Sequence, residues 1–174
     1  IGTPVIPCII KFLSEEDEEL YEFASHVLSD QGEASLGPLQ KLFFESSHWP
    51  VKKRAGHILS MTGVKSLNIL VKGLNDKSMR EFSSQVISSI GNSVIKPLTE
   101  SFEKINYPEY ISKIFSSLGP SVIPELLKYT DNENDMIRRY TVEGIIRMEL
   151  TAVKPLSKIL EGEISESKKQ KLLL

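Results

Sequence analysis

The sequence predicts an all-α protein made of about five to six helix-turn-helix repeats. Three observations support this fold class. One residue, nearly always glycine, recurs every 28 to 31 positions along the chain. Apolar residues recur at helical spacing after it, and a second apolar series recurs before it. A period near ~30 residues is typical of a solenoid, in which each repeat buries its apolar face against its neighbours.

The recurring residue marks the turn between the two helices of a repeat. It is glycine in five repeats and glutamate in the sixth: Gly2, Gly32, Gly63, Gly91, Gly119 and Glu149. Glycine has no Cβ, so it readily adopts the positive backbone φ angle at which many helices end. We therefore expect these residues to close the first helix of each repeat and the second helix to follow directly.

Counting from the turn residue separates core positions from surface positions. The seventh position after it is apolar throughout, at Ile9, Leu39, Leu70, Leu98, Leu126 and Leu156. The fourth and eleventh positions are apolar in nearly every repeat, and they include Val153 and Leu160. The fourth position before it is apolar as well, at Leu28, Leu59, Ile87, Phe115 and Ile145. Spacings of three and four residues predict one buried face on each helix.

These patterns predict eleven helices, at residues 3–13, 17–31, 34–45, 50–61, 64–75, 78–90, 93–104, 108–118, 120–130, 135–148 and 151–161. The repeats cover residues 1–161. Residues 162–174 are predicted to be a partial repeat or a frayed C-terminal end, because their lysines and leucines do not complete the pattern. Polar residues in the loops, at 14–17 and 131–135, suit helix caps.

The composition disfavours several classes of function. The formal net charge of −2 gives no overall attraction to nucleic acid or to an anionic membrane. No apolar run approaches the ~18 residues that a membrane span needs. The single cysteine, Cys8, excludes an internal disulfide and a CxxC-type zinc site. It fits a reducing compartment, so we predict a cytoplasmic protein, and its neighbours Ile6 and Ile9 predict a buried, inert thiol.

The segment Val51-Lys52-Lys53-Arg54-Ala55, followed by Ile58, Leu59 and Gly63, resembles the short, bilin-lyase-like HEAT repeat. Pro108 departs from the family pattern where arginine is expected, and Gly144 departs at an apolar position. The resemblance implies a right-handed α-α superhelix, or alpha-solenoid, whose second helices line the concave side. Such surfaces usually bind protein, which favours a non-enzymatic protein-protein interaction scaffold without cofactors.

The strongest candidate site is the ninth position after the turn residue, which is lysine in all repeats but one. It reads Lys11, Lys41, Lys72, Glu100, Lys128 and Lys158. The same helix face adds Lys65, Lys96 and Lys154. This column predicts a concave surface that binds a protein or an acidic peptide. The alternative is a solvated helix face, because lysine is a good helix former.

The remaining features carry weaker functional signals. His26 and His57 occupy equivalent positions ~10 Å apart, too far for one metal ion, and are expected to be exposed polar groups. Trp49 and Phe44 suggest either an exposed aromatic patch or a hydrophobic staple, and the staple is favoured. The acidic run Glu15–Glu19 suits either a basic partner or a helix N-terminus. No nucleotide-binding, nucleophile-elbow or zinc-protease motif is present.

Two alternative functions follow from the same resemblance. One is a HEAT-like alkylpurine DNA glycosylase or another nucleic-acid-binding solenoid. The interruption of the lysine column by Glu100 and Glu103 and the lack of an aromatic platform disfavour it. The other is a bilin-lyase-like chaperone, for which no residue identifies a tetrapyrrole pocket. Both ends of the array lack a covering repeat, which favours a truncated array or end-to-end self-association.

Overall fold

A computed structural model describes residues 5–15 and 17–172 of the chain, with side chains up to residue 162. These residues form helices and contain no strand, which confirms the all-α class. The chain divides into two compact units, Ile1–Tyr107 (unit 1) and Pro108–Leu174 (unit 2). The boundary falls at Pro108, where the sequence departs from its repeat pattern.

Unit 1 contains seven α-helices among its described residues. They are α1 (Ile6–Ile10), α2 (Glu18–Asp30), α3 (Glu33–Glu45), α4 (Trp49–Met61), α5 (Leu67–Asn75), α6 (Arg80–Ile90) and α7 (Ile95–Glu100). Short 3₁₀ turns, at Lys11–Ser14, Gly63–Ser66, Asn92–Val94 and Phe102–Lys104, extend the second helices of the repeats. The predicted helices are therefore present, but several second helices are part α and part 3₁₀.

Unit 2 contains α8 (Glu109–Ser117), α9 (Ile123–Leu126), α10 (Asp135–Ile146) and α11 (Leu150–Leu172). Two 3₁₀ turns, Pro120–Val122 and Leu127–Tyr129, flank α9. The prediction that the last helix ends at 161 is wrong, because α11 continues to Leu172. A single Gly162 costs a helix only about 1 kcal/mol relative to alanine, and most of the surrounding residues are adequate helix formers.

The turn residues adopt the predicted conformation. The backbone φ is +53° at Gly32, +66° at Gly63, +90° at Gly91 and +80° at Gly119. Glu149 has a φ of +50° and is the one non-glycine residue with a positive φ in the described part of the chain. The sixth turn of the chain is therefore of the same kind, with glutamate in place of glycine. Gly2, the first predicted turn residue, lies outside the described residues.

Within each unit, first helices that follow one another in the chain pack together. In unit 1 the first helices α2, α4 and α6 contact one another in succession, and the second helices α1 and α3 contact each other. In unit 2 the first helices α8 and α10 contact each other, and α9 contacts α10 and α11. The predicted core position four before each turn is buried in all five repeats, at Leu28, Leu59, Ile87, Phe115 and Ile145.

Close helix packing explains two glycines inside helices. A Cβ built on Gly73 in α5 would lie 2.0 Å from Ser83 Oγ on α6. A Cβ on Gly144 in α10 would lie 2.8 Å from Phe115 Cβ on α8. Gly144 departs from the repeat pattern because its missing side chain leaves the space that α8 occupies.

Two groups of residues differ from the predicted burial. Val153 and Leu160 on α11 are 55% and 58% exposed, because their positions are buried only where another helix covers them. Cys8 is exposed, so the prediction of a buried thiol is wrong. At about 100° per residue, Cys8 points away from the buried side chains of Ile6 and Ile9 on the same helix. None of the helices in the described ranges has the length and apolar character needed to cross a bilayer.

Candidate functional site

All eight predicted site lysines are exposed, and we call them the second-helix lysines: Lys11, Lys41, Lys65, Lys72, Lys96, Lys128, Lys154 and Lys158. Two of them have an acidic partner on their own helical segment. Lys96 Nζ is 3.9 Å from Glu100, and Lys128 Nζ is 2.5 Å from Glu125. The hydrogen bond to Glu125 raises the pKa of Lys128. The other six make no ion pair with a described residue.

The second-helix lysines of unit 1 lie on successive second helices of the chain. Lys41 is on α3 and Lys72 on α5, each nine residues after a turn glycine with positive φ. Lys11 lies in the 3₁₀ turn after α1, and α1 contacts α3. Lys65 Nζ lies 3.6 Å from the point that a Cβ of Gly32 would occupy. Lys65 of one repeat therefore reaches the turn of the preceding repeat.

Two second-helix lysines of unit 2, Lys154 and Lys158, line a groove. It has a volume of about 600 Å³ and lies between the turn that precedes α9 and the helix α11. Its lining residues are Pro120, Ser121, Pro124, Lys154, Pro155, Lys158 and Ile159. Lys154 and Lys158 are its charged residues, and the proline and isoleucine side chains make the rest of the wall mainly apolar. A groove of this size can hold an apolar side chain beside a carboxylate.

The sequence predicted the lysines of this groove but not its apolar wall. The prolines at 120, 124 and 155 were explained by their tolerance in a first helical turn. The structure adds that Pro155 lies inside α11 and that all three line one groove. One feature of the sequence could have predicted the apolar wall: prolines in neighbouring repeats lie at nearly the same distance after the turn residue.

A polar cluster joins α2 to α4 in unit 1. The Tyr21 hydroxyl and His57 Nδ1 are 2.5 Å apart, and the Arg54 guanidinium lies over the Tyr21 ring at 4.4 Å. Arg54 also donates to the backbone oxygens of Leu13 and Glu15 and pairs with Glu18 at 3.3 Å. Burial raises the pKa of Tyr21, although Arg54 opposes that change. The side chains of His26 and His57 are exposed as predicted, and the cluster holds two first helices together.

Trp49 is neither the predicted staple nor an isolated aromatic residue. It is the first residue of α4, is 45% exposed, and its ring centroid lies 5.0 Å from that of Phe82 on α6. Phe82 in turn stacks on Phe43 at 5.4 Å, and Phe43 meets Phe44 edge-on at 5.2 Å. A hydrophobic staple needs an apolar residue before the N-cap, and that position is Ser47 here. The aromatic cluster therefore packs α4 against α3 and α6.

The acidic segments act as helix caps. Asp17 Oδ1 accepts hydrogen bonds from Glu19 N at 2.9 Å and Leu20 N at 3.2 Å at the start of α2. Asn134 caps α10 in the same way, accepting from Met136 N at 2.9 Å. Within the described residues, no three His, Cys, Asp or Glu side chains come together as a metal site.

No protein-family model matches the chain, and no curated protein matches it. The resemblance carried by residues 51–63, and the superhelix and function that it implies, therefore remain predictions. The candidate site consists of exposed lysines at a repeated position and a groove with an apolar wall.

Proposed function

We propose that this chain is a HEAT-like α-solenoid scaffold, without enzymatic activity, that binds an acidic segment of a partner protein along the second-helix lysines. One observation carries the proposal. Lysine recurs nine residues after the turn in Lys41, Lys72, Lys128 and Lys158, and each of these side chains is exposed. A position that serves neither the core nor a helix cap therefore carries a positive charge in both units, with Glu100 as the exception.

The groove in unit 2 supports a protein partner over a nucleic acid. Lys154 and Lys158 stand beside Pro124, Pro155 and Ile159, so the wall favours an apolar side chain next to a carboxylate. A phosphate backbone would gain nothing from that apolar wall. Single-stranded nucleic acid would need aromatic side chains on which bases could stack, and none of the described residues that line this groove is aromatic.

The expected affinity is moderate. An exposed ion pair contributes roughly 0.2–1 kcal/mol. Apolar burial contributes about 25 cal/mol per Å². The lysines should therefore set specificity and the rate of association, while the groove supplies much of the binding free energy. Binding should weaken as salt rises, because these lysines are exposed and screened.

The test compares two triple variants of the whole chain. In one, Lys41, Lys72 and Lys128 are changed to Glu; in the control, Lys53, Lys77 and Lys104, which are exposed but outside the second-helix lysines, are changed to Glu. Both are titrated against fluorescent peptides that mix Glu with Leu and Phe, and against matched peptides with Gln for Glu. We expect the site variant to lose at least about tenfold in affinity and the control to stay near wild type.

The proposal fails if both triple variants lose affinity equally, or if the Gln peptides bind as well as the Glu peptides. It also fails if a DNA duplex at low salt binds more tightly than any acidic peptide, since that result would favour a nucleic-acid-binding solenoid.

A further inference from the structure

The outward face of α10 combines exposed apolar residues with a regular charge pattern. Val142 is 41% exposed and Ile146 is 68% exposed. Thr130, Asp135, Arg138, Arg139 and Glu143 complete a depression of about 550 Å³ around them. Charges alternate in sign every four residues along the helix, through Asp135, Arg139, Glu143 and Arg147. This face belongs to a first helix, so it is separate from the second-helix lysines.

The equivalent face is built differently in the other first helices. Seven residues before the turn, those helices carry small, buried residues: Ser25, Gly56, Ser84 and Ser112. Gly56 shows why, because a Cβ there would lie 2.8 Å from Phe82 Cζ of the following first helix α6. In α10 the same position is the exposed Val142. Three residues before the turn, the other helices carry serine, and α10 carries Ile146.

This difference opposes close packing of a further first helix against the outward face of α10. The small residues let the following first helix approach closely, whereas valine and isoleucine fill that space. The partner of α10 must instead cover an apolar ridge and match an alternating row of charges. A helix with the same row, run in the opposite direction, meets both requirements.

We propose that α10 pairs with α10 of a second copy of this chain, antiparallel about a two-fold axis at the level of Thr141. In that register Asp135 lies opposite Arg147 of the other copy, and Arg139 lies opposite its Glu143. Met136, which is 39% exposed, lies opposite Ile146. Each charge of the row Asp135, Arg139, Glu143 and Arg147 meets its opposite, as a two-fold interface requires of a self-complementary surface.

The existing contacts of these residues are compatible with this register. Within the chain, Glu143 already accepts from Arg147 Nη2 at 2.7 Å, and Asp135 pairs with Arg138. The side chain of Asp135 is 84% exposed, and Arg139 has no ion pair within the described residues, so both can take a partner from a second copy. A parallel pair in register would place like charges opposite each other and is disfavoured.

The test uses two charge reversals in the whole chain, Arg139→Glu and Glu143→Arg. Each variant alone places like charges opposite each other twice in the proposed dimer. An equimolar mixture of the two restores both opposite-charge pairs in the heterodimer. Sedimentation equilibrium follows the mass, and a fluorophore on one variant detects the mixed species. We expect wild type to form a dimer, each variant alone to dimerise at least about tenfold more weakly, and the mixture to recover wild-type affinity.

The controls separate association from folding. Lys53→Glu, an exposed change on α4, should leave the dimer intact, and Ile146→Glu should abolish it without loss of helix content by circular dichroism. The proposal is overturned if wild type stays monomeric at high concentration, if the single variants dimerise as well as wild type, or if the mixture fails to recover. Equal weakening by Lys53→Glu would also overturn it, because the effect would then come from net charge alone.

Discussion

Units 1 and 2 carry the same repeat pattern but use it differently. Eleven residues after the turn, unit 1 buries Leu13, Phe43, Leu74 and Phe102. At the same position unit 2 has Thr130, which is partly exposed, and Leu160, which is 58% exposed. An apolar column thus becomes core only where a neighbouring helix covers it.

The units also differ at the turns and at the closest helix contacts. Unit 1 has glycine at its described turns, while unit 2 has Gly119 and then Glu149, which holds a φ of +50° with a full side chain. The glycine of closest approach in unit 1, Gly73, faces a serine hydroxyl that can rotate. Its counterpart in unit 2, Gly144, faces the Cβ of Phe115, which is fixed to the backbone and cannot rotate away. Unit 2 should therefore respond more sharply to the same substitution.

The largest expected effect is that of Gly144→Ala. The added methyl would lie 2.8 Å from Phe115 Cβ and 3.4 Å from the Ser112 carbonyl oxygen, so α8 and α10 must separate. We expect a loss of about 2–3 kcal/mol in the free energy of unfolding, at the upper end for overpacking. Urea unfolding followed by far-UV circular dichroism measures it. An unchanged midpoint would show that this contact is loose.

Gly73→Ala should cost less, about 1–2 kcal/mol, because Ser83 can turn its hydroxyl away. The double variant with Ser83→Ala should recover part of that loss, since the remaining Ser83 Cβ contact is 3.0 Å. Ser83→Ala alone should be nearly neutral, because its buried hydroxyl has no hydrogen-bond partner among the described residues. Fluorescence of Trp49, the one tryptophan of the chain, follows this unfolding in unit 1. Additive losses in the double variant would contradict the proposed contact.

The turn residues should respond with opposite signs. Gly91 has φ +90° and ψ −162°, a region that is essentially restricted to glycine, so Gly91→Ala should cost about 1–2 kcal/mol. Glu149→Gly should increase stability by about 1 kcal/mol, because it removes the Cβ clash of a left-handed residue. Thermal unfolding of both variants tests the pair. A destabilising Glu149→Gly would mean that the glutamate side chain itself holds the turn.

The smallest expected effect concerns pH. The hydrogen bond from the Ser78 hydroxyl, followed by the bond from its backbone N–H, lowers the pKa of Asp76. Its stabilising contribution is therefore present above the unfolded pKa near ~3.9 and is lost as the pH falls through the folded value. The residue at the equivalent position in unit 2 is the N-cap Asn134, which does not titrate.

Asp76→Asn should reduce the acid sensitivity of unit 1, which Trp49 fluorescence against pH measures directly. Exposure and salt screening keep this effect small. An Asp17→Asn variant at the equivalent position before α2 provides the matched comparison. Equal acid sensitivity in wild type and Asp76→Asn would remove Asp76 as a source of the pH dependence.

Much of the fold could be predicted because local rules act at each repeat. The positive φ at the turn, the cap at Asp17 and the buried position occupied by Leu59 each follow from a few neighbouring residues. The site was predicted in part. The exposure of Lys41 and Lys158 follows from helix periodicity, but the groove beside Lys158 needs prolines from two different helices.

The sequence predictions were wrong where burial depended on a helix distant in sequence or on the direction in which one side chain points from its helix. Cys8 stands between two buried residues in sequence and yet faces outward, because a helix turns about 100° at each residue. The sequence predicts Trp49 at the start of a helix, but it does not predict that its ring packs against Phe82, 33 positions further along the chain. Periodicity states which face of a helix is apolar, but it does not state what lies against that face.

The sequence by itself determined the helices, their turns and the repeated lysine position, because these depend on backbone preferences and spacings within about thirty residues. Only the tertiary structure decided that Gly144 packs closely against Phe115 and that three prolines form one groove with Lys154 and Lys158. It also decided that Val142 and Ile146 remain exposed. The physical reason is that burial and close contact belong to pairs of helices. Each helix carries its own apolar face in its sequence, whereas the surface that covers that face is set by how the chain folds back on itself.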